Sequence, residues 1–148
     1  MTSKPVARRL TLDDQPGIMR LYSHLITNEA FPTGDAATGL LAAILDHPGT
    51  SLFGAEAGGQ LRAMCTIHIL PNITRTARPY ALIENVVSDA GHRGQGFARA
   101  AMQAAIAAAW DADCYKVMLL SGSSDGHGFY PKLGFDGDAK RGFILRAP

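Results

Sequence analysis

The chain has 148 residues, of which 47% are hydrophobic and 18% charged, and a formal net charge of +1. That length suits one domain able to bury roughly two thirds of its unfolded surface, and the composition is that of a globular chain rather than a disordered or fibrous one. A net charge so near zero gives no broad attraction to nucleic acid or to an anionic membrane. No apolar run reaches membrane-span length and MTSKPVARRL lacks the apolar centre of a secretion signal, so the expectation is a cytoplasmic protein whose anion recognition is local.

Residues 6–10 read as a first strand. Thr11 and Asp14 then form a capping-box pattern ahead of a helix that runs to about Leu25, with Ile18, Leu21, Tyr22 and Leu25 at helical spacing and Pro16 in the first turns. A second helix is predicted over 35–46, ending before HPG. TSLFGAEA (50–57) and QLRAMCTIHIL (60–70), separated by Gly58 and Gly59, predict a hairpin. PNITRTARP (71–79) is a loop, and YALIENVVS (80–88) is the most apolar strand.

Gly91, Gly94 and Gly96 come next, followed by a helix over 97–110 whose eight alanines favour it and whose Met102, Ala105, Ile106 and Ala109 face inward. YKVMLLSG (115–122) is a further strand. DGHGFYPKLGF (125–135) predicts a short helix ending at Gly134, compatible with Pro131 if it begins near Gly126, and KRGFILR (140–146) is a last strand. The order βααβββαβαβ describes one α/β (α+β) domain over residues 1–148, without a boundary or repeat. Cys65 and Cys114 lie in apolar segments and read as reduced, packed thiols, and the five histidines show no metal-binding spacing, so no metal is expected.

GHRGQGFA (91–98) raises a particular question, because three close glycines weaken regular structure. A strand running into such a loop and then a helix leaves the amides of residues 93–98 without helical acceptors. Glycine lets backbone approach a phosphate, the helix dipole adds about half a positive charge, and Arg93 offers a fork of donors. The spacing GxxGxG is neither the dinucleotide GxGxxG nor a P-loop, and a loop that merely packs helix against strand is the other reading.

RGQGFA fits the R-x-x-G-x-G/A signature of the GCN5-related N-acetyltransferases, and CYKVMLLSG with GFYPKLGF resembles that family's next strand and FYxxLGF helix in the same order. RRLTLDD is similar to the family's opening, so the resemblance spans nearly the whole chain and is most specific over 82–136. Departures are Ser88, Ala90, Ser123 and Gly126, where valine, proline, asparagine and alanine are common.

The resemblance implies a twisted, mixed, largely antiparallel sheet of six to seven strands with a parallel, splayed central pair and about four helices. It also implies acetyl-CoA as cosubstrate, with the loop holding its pyrophosphate. Cofactor contacts would come from Val86, Val87, Ser88, Arg93, Gly94, Gln95, Gly96, Phe97, Ala98 and Ser123. The parting strands would be 82–88 and 115–121, with Val86 or Val87 N–H directed at the thioester oxygen.

Acetyl transfer to an amine requires removal of an ammonium proton and protonation of a thiolate. Glu84 is the one charge in YALIENVVS, and burial there would raise its pKa toward that of a useful base; the alternative is a structural pair with Arg75 or Arg78. Tyr130 is the acid candidate, placed beside the sulfur by the resemblance; read from residues alone it joins Phe129, Leu133 and Phe135 as core. Strand alternation puts Glu84, Val86 and Ser88 on one face and Asn85 and Val87 on the other.

Phe31, Arg75, Arg78, Tyr80 and Asn85 are the acceptor-side candidates. The expected activity is acetyl transfer to a primary amine of a small molecule by direct attack in a ternary complex, with a possible homodimer and neither nucleic acid nor membrane as partner. A protein N-terminal or lysine acetyltransferase and a non-catalytic acyl-CoA sensor are the alternatives.

Overall fold

A computed structural model describes residues 3–122, 124 and 126–148. Five strands form one sheet in the order β1-β2-β3-β4-β5: β1 Val6–Arg9, β2 Thr50–Ala57, β3 Gln60–Leu70, β4 Tyr80–Ser88 and β5 Val117–Met118. The first three junctions are antiparallel and β4 pairs with β5 in parallel. Among the described residues four helices of seven residues or more accompany the sheet: α1 Gln15–Leu25, α2 Gly34–Asp46, α3 Phe97–Asp111 and α4 Gly126–Lys132.

Local chemistry accounts for most of these boundaries. Asp14 accepts the Thr11 N–H at 2.8 Å ahead of α1, while Pro16 falls at the helix start, where a missing N–H costs little. Gly58 and Gly59 both have positive φ, +59° and +75°, the geometry of a two-residue hairpin turn whose twist matches the strands it joins.

Each face of the sheet buries its own core. On one side Leu10, Leu52, Leu61, Met64 and Val87 pack with Ile18, Leu21 and Leu41 of α1 and α2. On the other, Phe53, Cys65, Ile67, Ala81 and Ile83 pack with Met102, Ala105 and Ala109 of α3, joined by Phe129, Tyr130, Leu133 and Phe135. Both cysteines are buried free thiols, and burial pushes the Cys65 thiol up to about 12.

Three expectations need correction. The strand expected over 115–122 is only two residues long, and residues 140–146 form no strand, leaving Phe143, Ile144 and Leu145 at 86%, 63% and 100% exposure; the sheet therefore has five strands. The loop at 71–79 contains a tight turn over Thr74–Ala77 in which Arg75, Thr76 and Ala77 all take left-handed φ.

The faces of β4 also differ from simple alternation. Thr66 pairs with Glu84 but Met64 pairs with Val87, so Asn85 and Val86 together oppose Cys65 in a β-bulge, with Asn85 at φ +53°. The extra residue reverses the side-chain phase. Ile83 and Val86 pack toward α3, whereas Val87 packs toward α1.

Candidate active site

The ladder between β4 and β5 consists of Ala81 opposite Val117 and Leu82 opposite Met118, after which the strands lose pairing. From Ile83 onward the β5-facing edge of β4 is free of ladder partners, and the bulge at Asn85 sits in that stretch. Pairing between the two parallel strands therefore ends at the middle of β4, ahead of residues 89–98.

Past the end of β4, Gly96 caps α3 with φ +87° and ψ 6°, and Gly94 has φ +76°. Left-handed φ at both positions calls for glycine. A Cβ at either glycine would meet nothing within 4 Å, so the protein itself does not fill the space above them. Among the described residues the first bond into the helix is from Ala100 N–H to Gly96 O at 3.0 Å, and the amides of residues 93–99 have no acceptor. Arg93, Gly94, Gln95 and Gly96 are exposed, whereas the Phe97 ring is buried and leaves only its amide for a ligand.

Behind this loop, Asp89 is buried at 6% exposure. Its carboxylate accepts from Arg20 of α1 at 2.7 Å, from Arg62 of β3 at 3.1 Å and from the Gly91 N–H at 2.9 Å. Burial opposes ionisation of Asp89, but these donors together with nearby His92 outweigh it and hold the carboxyl well below the usual carboxylate range. Ala90 N–H donates to His24 Nδ1 at 3.0 Å, and the Arg20 guanidinium also donates to the Leu61 carbonyl.

The two candidate catalytic residues flank β4 from opposite faces. Tyr130 belongs to the α3-side cluster, with Phe129 and Phe135 in edge contact at 5.1 Å and 6.0 Å between ring centres. Burial, followed by the charge of Cys65, pushes its phenol pKa up. The ring lies close over Gly126, where a Cβ would be 2.8 Å from Tyr130 Cε2 and 2.5 Å from Ser121 Oγ; the departure from alanine here makes room for that ring.

Glu84 sits opposite Thr66, on the side of α1. It is exposed, so the burial expected from its apolar neighbours does not hold, and it makes no ion pair among the described residues. Tyr22 of α1 faces the Thr66 side chain and stacks on Phe31 at 6.5 Å, which brings Phe31 to the same side as Glu84. Sequence periodicity treats Tyr22 as core, and nothing in its spacing marks it as lining a site.

The other acceptor-side candidates gather at the foot of the β4–β5 pair. Arg78 donates to the Asp113 and Cys114 carbonyls, both at 3.2 Å, and pairs with the Asp113 carboxylate; Arg75 lies over the Tyr115 ring at 5.6 Å. Lys116 Nζ stands 5.5 Å from the Tyr80 ring centre and 5.4 Å from that of Tyr115. Asn85 is exposed at the bulge, Ser88 is half-buried at the end of β4, and Ser123 lies outside the described residues.

Fold and loop together define an acetyltransferase of the mixed α/β kind: residues 16–135 match the family described as Acetyltransferase (GNAT) family. The chain belongs to this family of N-acetyltransferases, which use acetyl-CoA as cosubstrate. It is 32% identical over 130 residues to a protein of Trypanosoma brucei brucei named glucosamine 6-phosphate N-acetyltransferase, covering 86% of each chain.

Among solved structures, a putative acetyltransferase from Agrobacterium tumefaciens str. C58 is 41% identical with a TM-score of 0.91, covering 96% of this chain and 99% of that one. An acetyltransferase of Trypanosoma brucei is 28% identical with a TM-score of 0.84, covering 97% of this chain and 100% of the other.

Proposed function

We propose that the protein transfers the acetyl group of acetyl-CoA to the primary amine of a small molecule, by direct attack while both substrates are bound. The observation that carries this reading is the run of acceptor-free amides at the start of α3, set beyond the point where pairing of β4 with β5 ends. Those amides, two left-handed glycines and the Arg93 fork suit a diphosphate, and the free edge of β4 suits the amide groups of an extended pantetheine arm. When bound, acetyl-CoA supplies an activated thioester.

The chain's own groups divide the remaining work across β4. Glu84, on the α1 side, takes the ammonium proton directly or through water. The Val86 or Val87 amide, at or beside the bulge, donates toward the acyl oxygen, and Tyr130, on the α3 side, delivers a proton to the thiolate. A base and an acid on opposite faces of one bulged strand support a ternary complex, because donor and acceptor can then enter from different sides. The relative from Trypanosoma brucei brucei makes an amino-sugar phosphate the acceptor class of choice, with Phe31, Tyr22 and Asn85 beside it.

Two buried free thiols fit a reducing cytoplasm. The exposed apolar run 143–145 supports a homodimer, expected as twice the chain mass in sedimentation.

Thiol release from acetyl-CoA across amino sugars, their phosphates, amino acids, polyamines and lysine peptides tests the reading. Turnover highest on a small amine is the expected result; turnover only on peptides, or coenzyme binding without turnover on any amine, would overturn it.

A further inference from the structure

The amides offered to the diphosphate are free because the residues just before them are not. Asp89 N–H donates to the Arg62 carbonyl at 2.7 Å, the Asp89 carbonyl accepts His92 N–H at 2.9 Å, and the Ala90 and Gly91 amides are taken by His24 and by the Asp89 carboxylate. Every amide from 89 to 92 is thus committed to α1, β3 or the turn itself, and the free run begins at Arg93. One buried side chain ties this together, since Asp89 Oδ2 holds Arg20 and Arg62 while Oδ1 holds Gly91.

We infer that Asp89 is a positioning residue for coenzyme binding: cross-linked to α1 through Arg20 and to β3 through Arg62, it fixes residues 89–92 so that the amides of 93–98 stay turned out toward the diphosphate. The inference rests on the coenzyme site proposed above. It also opposes simple electrostatics. A carboxylate just behind an anion site repels the anion, so replacing it by a neutral amide and leaving two unneutralised arginines should tighten binding if charge alone mattered. Positioning demands the reverse, because asparagine has one acceptor oxygen for three donors and presents an N–H₂ to the others.

The test compares two acetyl donors, acetyl-CoA and S-acetylpantetheine, which has the thioester and arm but no diphosphate. In Asp89→Asn the KM for acetyl-CoA should rise at least about tenfold, the loss of one hydrogen bond to a charged group, with kcat nearly kept and S-acetylpantetheine turnover close to that of the unaltered protein. Arg20→Gln, which leaves Arg62 and Gly91 bonded to Asp89, should give the same donor-selective loss at smaller size.

An unchanged or lower KM for acetyl-CoA in Asp89→Asn would overturn the inference, as would an equal loss with both donors in both variants, which is what a merely structural role gives. An unaltered protein that uses S-acetylpantetheine as well as acetyl-CoA would instead overturn the diphosphate site itself.

Discussion

Substituting Gly96 by alanine separates the cost of backbone strain from the cost of obstructing a ligand. Gly96 has φ +87° and open space where a Cβ would stand, so alanine meets no protein atom and the folded state bears only the left-handed conformation, about 1–2 kcal/mol. For a chain of this length that lowers Tm by about 2–8 °C. Gly59, at φ +75° and equally open, lies in the β2–β3 turn and supplies a matched control with the same strain.

At Gly96 the added methyl enters the space proposed for the diphosphate. Displacing the anion from even one amide removes a charge-assisted hydrogen bond worth about 1.5–3 kcal/mol, or roughly 10- to 150-fold in affinity. Calorimetric titration with acetyl-CoA alongside thermal melts should therefore show similar Tm losses in Gly96→Ala and Gly59→Ala but weakened binding only in Gly96→Ala. Equal affinity in the two variants would refute the placement of the diphosphate on these amides.

Tyr130→Phe keeps the ring contacts to Phe129 and Phe135 while removing the hydroxyl, and should lower kcat roughly 10²-fold or more with little change in coenzyme affinity; a loss confined to binding would contradict the acid role. Gly126→Ala should displace the Tyr130 ring and reduce kcat in the same direction, whereas full activity would show that the ring has room to yield. Asp89 and Asp14 both have depressed carboxyl pKa values, the latter held down chiefly by Arg8, so each adds stability above the unfolded value near ~3.9 that is lost as pH falls through the folded value. Urea midpoints should hence be flat above about pH 5 and fall below about pH 4, more shallowly in Asp89→Asn; parallel curves would contradict this. Cys65, raised to about 12 by burial, and Cys114 should react with a disulfide reagent at neutral pH only on unfolding, and rapid labelling of the native protein would count against both.

The elements that carry the loop were legible because their residues agree at every level. A largely apolar run with β-branched residues sets β4 at 80–88, Gly58 and Gly59 set the hairpin, and alanine propensity with Gly96 sets the start of α3. What escaped depends on pairing over distance. The bulge at Asn85 is a left-handed residue that asparagine tolerates but does not demand, and it reversed the faces of Val86 and Val87. β5 finds a ladder partner at only two positions, and KRGFILR has strand-forming residues but pairs with no strand among the described residues.

Of the candidate site, the glycine loop and Glu84 were singled out by local pattern, and Tyr130 by the family resemblance alone. The clamp behind the loop could not. Arg20, Arg62 and Asp89 come from three segments tens of residues apart, and each alone reads as an ordinary surface charge.

The central claim is that the amides leading into α3 bind the diphosphate of acetyl-CoA. Amide nitrogen–proton correlation spectra recorded during titration with acetyl-CoA test it most directly. The largest shifts are expected at Gly94, Gln95, Gly96, Phe97 and Ala98, and their absence when S-acetylpantetheine replaces acetyl-CoA; saturation with acetyl-CoA that leaves those five amides unmoved would contradict the account.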